Sequence, residues 1–130
     1  CASGRLEDLR AAAAVLKGRR IPPGFQLHVV PTSQAIMSAA AREGLISTLV
    51  DAGAFISSSS CDYCYGRIAP MTDGQRAVST GTLNPPGRRG SPDSEIFICN
   101  AAVVAASALN GRITDPRPYL AEAIARGDVL

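Results

Sequence analysis

Short runs of β-branched and apolar residues alternate along this chain with alanine-rich stretches of helical period, and glycine or proline separates most of them. That alternation restricts the fold more than any other feature, because strands interleaved with helices pair in parallel and bury both faces of their sheet. Leu6, Leu9, Ala13 and Leu16 share one face of a helix predicted over 5–17, and Gly18 supplies its left-handed stop. Residues 27–30 read as a strand halted by Pro31, after which Thr32 or Ser33 caps a helix running to about residue 43, with Gly44 as its stop. Residues 45–52 give a further turn or two of helix. Gly53 breaks it, and 54–56 start a second strand that empties into four serines.

Residues 76–80 form the third predicted strand and 95–99 the fourth. Between them, 81–93 carries three glycines and three prolines, which regular structure does not tolerate. Asn100 stands where a helix cap belongs, before an alanine-rich helix over 101–109 that Asn110 and Gly111 end, and a last short helix is predicted over 119–126. The expectation is a three-layer α/β/α domain with a mostly parallel sheet, one domain over 1–130. Such sheets take ligands in loops beyond their carboxyl strand ends, here 57–66 and 81–93.

With three Phe, three Tyr and no Trp, the core must be built of small aliphatic side chains. The formal charge of +2 is dispersed, and the only basic doublets are Arg19-Arg20 and Arg88-Arg89, so no stripe for nucleic acid exists. No apolar run reaches the roughly 20 residues of a membrane span, and the first residues lack a signal-peptide pattern. The expected location is cytoplasmic, with neither nucleic acid nor membrane as partner.

Cysteine is the chemically suggestive residue. Cys61-Asp62-Tyr63-Cys64 is a C-x-x-C in a loop, where two sulfurs can converge on one metal centre; by itself it leaves zinc, a redox pair and an iron–sulfur centre open. Zinc would need a second ligand pair, and the only histidine, His28, lies in an apolar strand with a core role expected. A redox pair would open a helix, whereas Tyr65-Gly66 continues as loop. Cys99, ending an apolar strand, is expected to pack as a small hydrophobe.

Longer motifs accompany these thiols. Cys-Ala-Ser-Gly-Arg-Leu-Glu-Asp-Leu-Arg at 1–10 resembles the C-T-N-G-R-x-E-D-L segment of the aconitase superfamily, and the likeness continues through Ala11 to Arg19, Val29-Val30-Pro31 with Ser33, and Ser60-Cys61-x-x-Cys64-x-Gly66. Ser79-Thr80 with Asn84 and Gly87-Arg88 is similar to the family's S-T-S-N-R-N-F-x-G-R, and Gly111-Arg112-Ile113-Thr114-Asp115-Pro116 to its G-R-L-T-D-P, most closely in the large subunit of isopropylmalate isomerase. The resemblance implies a [4Fe-4S] cluster on Cys1, Cys61 and Cys64, whose fourth iron is a Lewis acid for dehydrating or isomerising a small hydroxy acid. It further implies substrate contacts from Ser79, Thr82 and Arg88, the last as a bidentate carboxylate clamp. The family's remaining histidines, acids and serine are missing, so the chain is expected to work with further polypeptide of the same enzyme, in a hetero-oligomer.

Departures from the pattern crowd around the implied site. The family's other substrate-loop arginine falls at Leu83 and the asparagine before it at Thr82; its Phe-x pair is Pro85-Pro86, and Gly-Pro between the paired ligands is Asp62-Tyr63. These changes predict an altered substrate while the three ligand positions predict a surviving cluster. A second reading starts from Cys1 as first residue: self-cleavage before it would create an N-terminal nucleophile activated by its own amine, a hydrolase or acyl-transfer enzyme on an aconitase-like scaffold. A third, a cluster-free binding module, would make Cys61 and Cys64 relics.

Overall fold

The computed structural model describes residues 3–128 and 130, so Cys1 lies outside the described residues. Among the described residues, five helices and four strands follow in the order α1 (Leu6–Leu16), β1 (His28–Val29), α2 (Gln34–Arg42), α3 (Leu45–Asp51), β2 (Phe55–Ile56), β3 (Arg76–Ser79), β4 (Glu95–Ile98), α4 (Ala101–Asn110) and α5 (Arg117–Arg126).

Local chemistry accounts for the helix boundaries. Ser33 Oγ accepts from the Ile36 N–H at 3.2 Å and Asn100 Oδ1 from the Val103 N–H at 2.9 Å, so both predicted caps are in place. Gly18, Gly44 and Gly111 each adopt positive φ where a helix stops, as the sequence requires. α5 begins two residues earlier than predicted. Proline is compatible with a helix's first turn, where its missing N–H would be unbonded anyway, so Pro118 is accommodated there.

The strands pair in parallel, as expected of an α/β fold, but in two separate two-stranded ladders among the described residues. β1 pairs with β2 (His28 with Phe55, Val29 with Ile56), and β3 with β4 from Arg76–Glu95 to Ser79–Ile98. The first ladder is shorter than predicted. Pro31 has no N–H to extend β1, and β2 runs out into serines. α2 and α3 connect β1 to β2, whereas an irregular loop alone connects β3 to β4.

Alanines set how closely the helices approach. Ala13 on α1 and Ala105 and Ala106 on α4 are buried together with Leu9, Val15, Leu16, Leu27 and Leu49, and α1 packs chiefly on α4 and α3. Ion pairs tie the periphery: Arg10 grips Glu43 through two hydrogen bonds of 2.8 and 2.6 Å, and Arg126 donates to the Ala14 carbonyl at 2.9 Å while pairing with Asp128. Strands β1 and β3 and helices α1 and α4 border an open cleft of about 900 Å³. No described helix is long and apolar enough to cross a membrane.

Candidate active site

Three loops meet at one end of this cleft, beyond the carboxyl ends of β1, β2 and β3, the position that parallel α/β folds use for ligands. The first is the amino-terminal segment. The Gly4 carbonyl accepts the Thr32 N–H at 2.9 Å, and a Cβ on Gly4 would collide with the Val30 carbonyl oxygen, so only glycine lets this segment lie against the end of β1. Ser3 and Gly4 thereby line the cleft, two and three residues after the first implied ligand.

The second loop carries the C-x-x-C. Ser60 Oγ accepts the Asp62 N–H at 3.3 Å, and the Asp62 carbonyl accepts the Arg67 N–H at 2.9 Å, turning the chain around the pair. Cys61 is exposed and Cys64 half-buried, and Cys64 lines the cleft beside Ser60 and Tyr63. Gly66 has φ +69°, and a Cβ there would lie 2.6 Å from the Arg89 carbonyl carbon and oxygen, which fixes this loop directly against the third.

The third loop, 80–94, is pinned by Met71, whose N–H donates to the Arg89 carbonyl at 2.8 Å and whose carbonyl accepts the Ser91 N–H at 2.9 Å. Arg88 lies over the Tyr65 ring at 4.1 Å. Arg89 Nη2 donates to Ser79 Oγ at 2.7 Å, and the same oxygen accepts the Gly81 N–H at 3.0 Å. Ser79 is buried and its hydroxyl thus engaged, whereas Thr82 is exposed and shares a small recess with Cys64, Gly81, Leu83, Arg88 and Arg89.

Of the residues singled out from sequence, Cys64, Ser79, Thr82 and Arg88 therefore converge, and Cys61 sits on the same turn as Cys64. Cys99 is half-buried at the end of β4, less enclosed than its predicted core role requires. Two further residues belong to the site. Arg89 was visible in the sequence only as half of a basic doublet. His28 is half-buried at the cleft instead of in the core, stacked on Phe55 (5.3 Å between centroids) and tilted against Tyr63 (5.0 Å), with Nε2 3.2 Å from Gln26 Oε1. Its desolvation, with the nearby charge of Arg89, lowers its pKa.

His28 Nδ1 and Ser59 Oγ are shielded from solvent yet have no hydrogen-bond partner among the described residues, which marks a site that something further completes. Among those residues no three His, Cys, Asp or Glu side chains gather as a metal-binding group. The cysteine turn supplies two soft donors of the kind a thiolate-ligated cluster takes, beside the cleft that Ser3 and Gly4 also line; the third implied ligand, Cys1, lies outside the described residues.

Parallel ladders with a thiol turn and an arginine-bearing loop beyond their carboxyl ends define an α/β domain that gathers cysteine and arginine side chains at one end of its cleft. Comparison with known proteins gives the class its family. Residues 1–111 match the family model described as aconitase family (aconitate hydratase). The chain is 49% identical over 118 residues to the 3-isopropylmalate dehydratase large subunit of Wolinella succinogenes, covering 90% of this chain and 28% of that protein. It is 46% identical over 117 residues to the homoaconitase large subunit of Thermus thermophilus (89% and 28%), and 43% over 123 residues to the 3-isopropylmalate dehydratase large subunit of Mycolicibacterium smegmatis (94% and 29%). The chain belongs to the aconitase family, and it spans under a third of the length of these curated relatives. The relatives favour the hydro-lyase reading over the N-terminal-nucleophile reading.

Proposed function

We propose that this stretch is the cluster-bearing part of the large subunit of an iron–sulfur hydro-lyase or isomerase acting on a small hydroxy acid. The observation that carries the reading is the convergence of the Cys61–Cys64 turn, the segment beside Cys1 and the Arg88 loop on one rim of the cleft. Cys1, Cys61 and Cys64 would hold a [4Fe-4S] cluster, which when bound supplies a Lewis-acidic iron for hydroxyl and carboxylate oxygens.

The chain's own residues bind and orient. Arg88, whose guanidinium carbon lies 4.1 Å from the centre of the Tyr65 ring, offers N–H donors to a substrate carboxylate. Thr82, at the mouth of the same recess, offers a hydroxyl to the substrate. Ser79 acts from behind as a positioning residue, because its oxygen is committed to Arg89 and Gly81. The general base comes from polypeptide beyond this stretch, and the relatives' designation as large subunits supports a small-subunit partner; the enzyme is read as cytoplasmic. Leu83 in the arginine-bearing recess points to a substrate other than citrate or isopropylmalate.

Iron and acid-labile sulfide content of the assembled enzyme, purified without oxygen, tests the proposal. About four irons per chain is expected, lost when Cys61 is replaced by serine. An iron-free, folded enzyme that keeps its activity would overturn it.

A further inference from the structure

We propose that His28 is a positioning residue for the cysteine turn: its ring meets Phe55 at the strand that leads into that turn and Tyr63 within it, and so fixes how Cys61 and Cys64 are presented together. The inference rests on the proposed cluster site and gives a role there to a side chain outside the family's motifs.

The loop that carries the thiols is poorly anchored by its own composition. Residues 57–60 are four serines, with no apolar side chain to pack. Ser57 Oγ donates to the Ser58 carbonyl at 3.1 Å, Ser60 Oγ accepts the Asp62 N–H at 3.3 Å, and Ser59 Oγ has no partner among the described residues, so these hydroxyls tie the loop to nothing outside it. Its backbone is joined to β1 at the start, where the Ser57 N–H donates to the Val29 carbonyl at 3.0 Å. Further on, the Asp62 and Tyr63 carbonyls accept from N–H groups at 66–68, within the same irregular stretch.

Rings hold what hydrogen bonds leave loose. A chain with three Phe, three Tyr, one His and no Trp has few of them, yet Phe55, His28 and Tyr63 meet here. His28 and Phe55 are register partners in the β1–β2 ladder, which sets their side chains on one face of it, with ring centroids 5.3 Å apart and ring planes 18° from parallel. Tyr63, between the two thiols in sequence, has its ring centroid 5.0 Å from the same imidazole. One side chain of β1 therefore touches both ends of the stretch 55–63 that contains Cys61. The imidazole is itself oriented by Gln26, whose Oε1 lies 3.2 Å from Nε2. Holding two donors in place before a ligand arrives removes ordering cost from its binding.

A merely structural His28 would stabilise β1 and leave the thiols alone, and the test separates the two roles. Phenylarsine oxide bridges two neighbouring thiols through two As–S bonds with loss of one water. It is titrated against the assembled enzyme after iron has been chelated without oxygen. The forms compared are unmodified, Cys61→Ser, His28→Ala, His28→Phe, Tyr63→Ala and Asn100→Ala, the last losing stability at the cap of α4. The expected result is binding that Cys61→Ser abolishes, a fall in affinity of about three- to tenfold in His28→Ala and Tyr63→Ala, the size of one ring contact, and affinity within about twofold of the unmodified enzyme in His28→Phe and Asn100→Ala. Unchanged affinity in the two ring-deleting variants, an equal fall in Asn100→Ala, no rescue by His28→Phe, or binding that does not depend on Cys61 would each overturn the proposal. Where His28→Ala fails to fold, Tyr63→Ala reads the same contact from the side of the turn. The titration uses no iron, so an iron-free unmodified enzyme sinks the cluster reading while the arsenical series still decides this one.

Discussion

His28 is the residue whose setting departs most from its neighbours in sequence. It lies in an apolar strand, which predicts a core imidazole, yet two aromatic rings cover it at the cleft and Arg89 adds positive charge nearby. Both effects disfavour its protonated form, so the folded pKa lies below the ordinary value of about 6.5. The unfolded chain then takes up the proton first as pH falls. Stability is therefore highest above about pH 6.5, declines as pH drops toward the folded pKa, and levels off below it. Because this is the only histidine, its ring proton signals titrate without overlap. A midpoint at or above 6.5 in the folded chain would refute the account. The core reading missed because burial depends on which strands come to lie beside β1, and periodicity along one segment carries no information on that. The Arg89–Ser79 bond was hidden for the same reason: it spans ten residues of irregular loop, and only the path of that loop brings the two groups together.

Elements were far more legible than contacts between them. Helix ends are written locally, in a serine or asparagine that caps and a glycine that takes positive φ, and α1, α2 and α4 fall within a residue or so of their predicted spans. Strand lengths were overestimated for β1 and β2, because pairing needs a partner in register and the apolar run alone does not provide one. α4 offers the cleanest energetic test. Replacing Asn100 with alanine removes the acceptor for the Val103 N–H and should cost about 1 kcal/mol, seen as a lower denaturant midpoint with unchanged slope. A change in slope would mean that the cap also governs how much of the chain is ordered. The residue before the cap, Cys99, donates its N–H to the Ser79 carbonyl at 2.9 Å, which continues the β3–β4 ladder up to the start of α4.

At the scale of the whole molecule, the family and the rim of the site could be read from motifs, since C-x-x-C, the amino-terminal segment and the 79–88 loop each retain their order and spacing. The division into two ladders could not, because neither half advertises in sequence which strand stands next to it. That division has a colloidal consequence. Each strand of a two-stranded ladder keeps one edge with no strand partner among the described residues, and Phe55, Phe97 and Ile98 are exposed on the strands themselves. Unpaired parallel edges with aromatic neighbours are templates for another copy of the same chain. On its own, this stretch should show light scattering that climbs steeply with concentration, and Phe97→Lys should flatten the climb. Scattering that stays flat at high concentration would mean that the edges are already guarded. If the scattering climbs as expected, crowding is a condition under which these open edges bring copies of the stretch together.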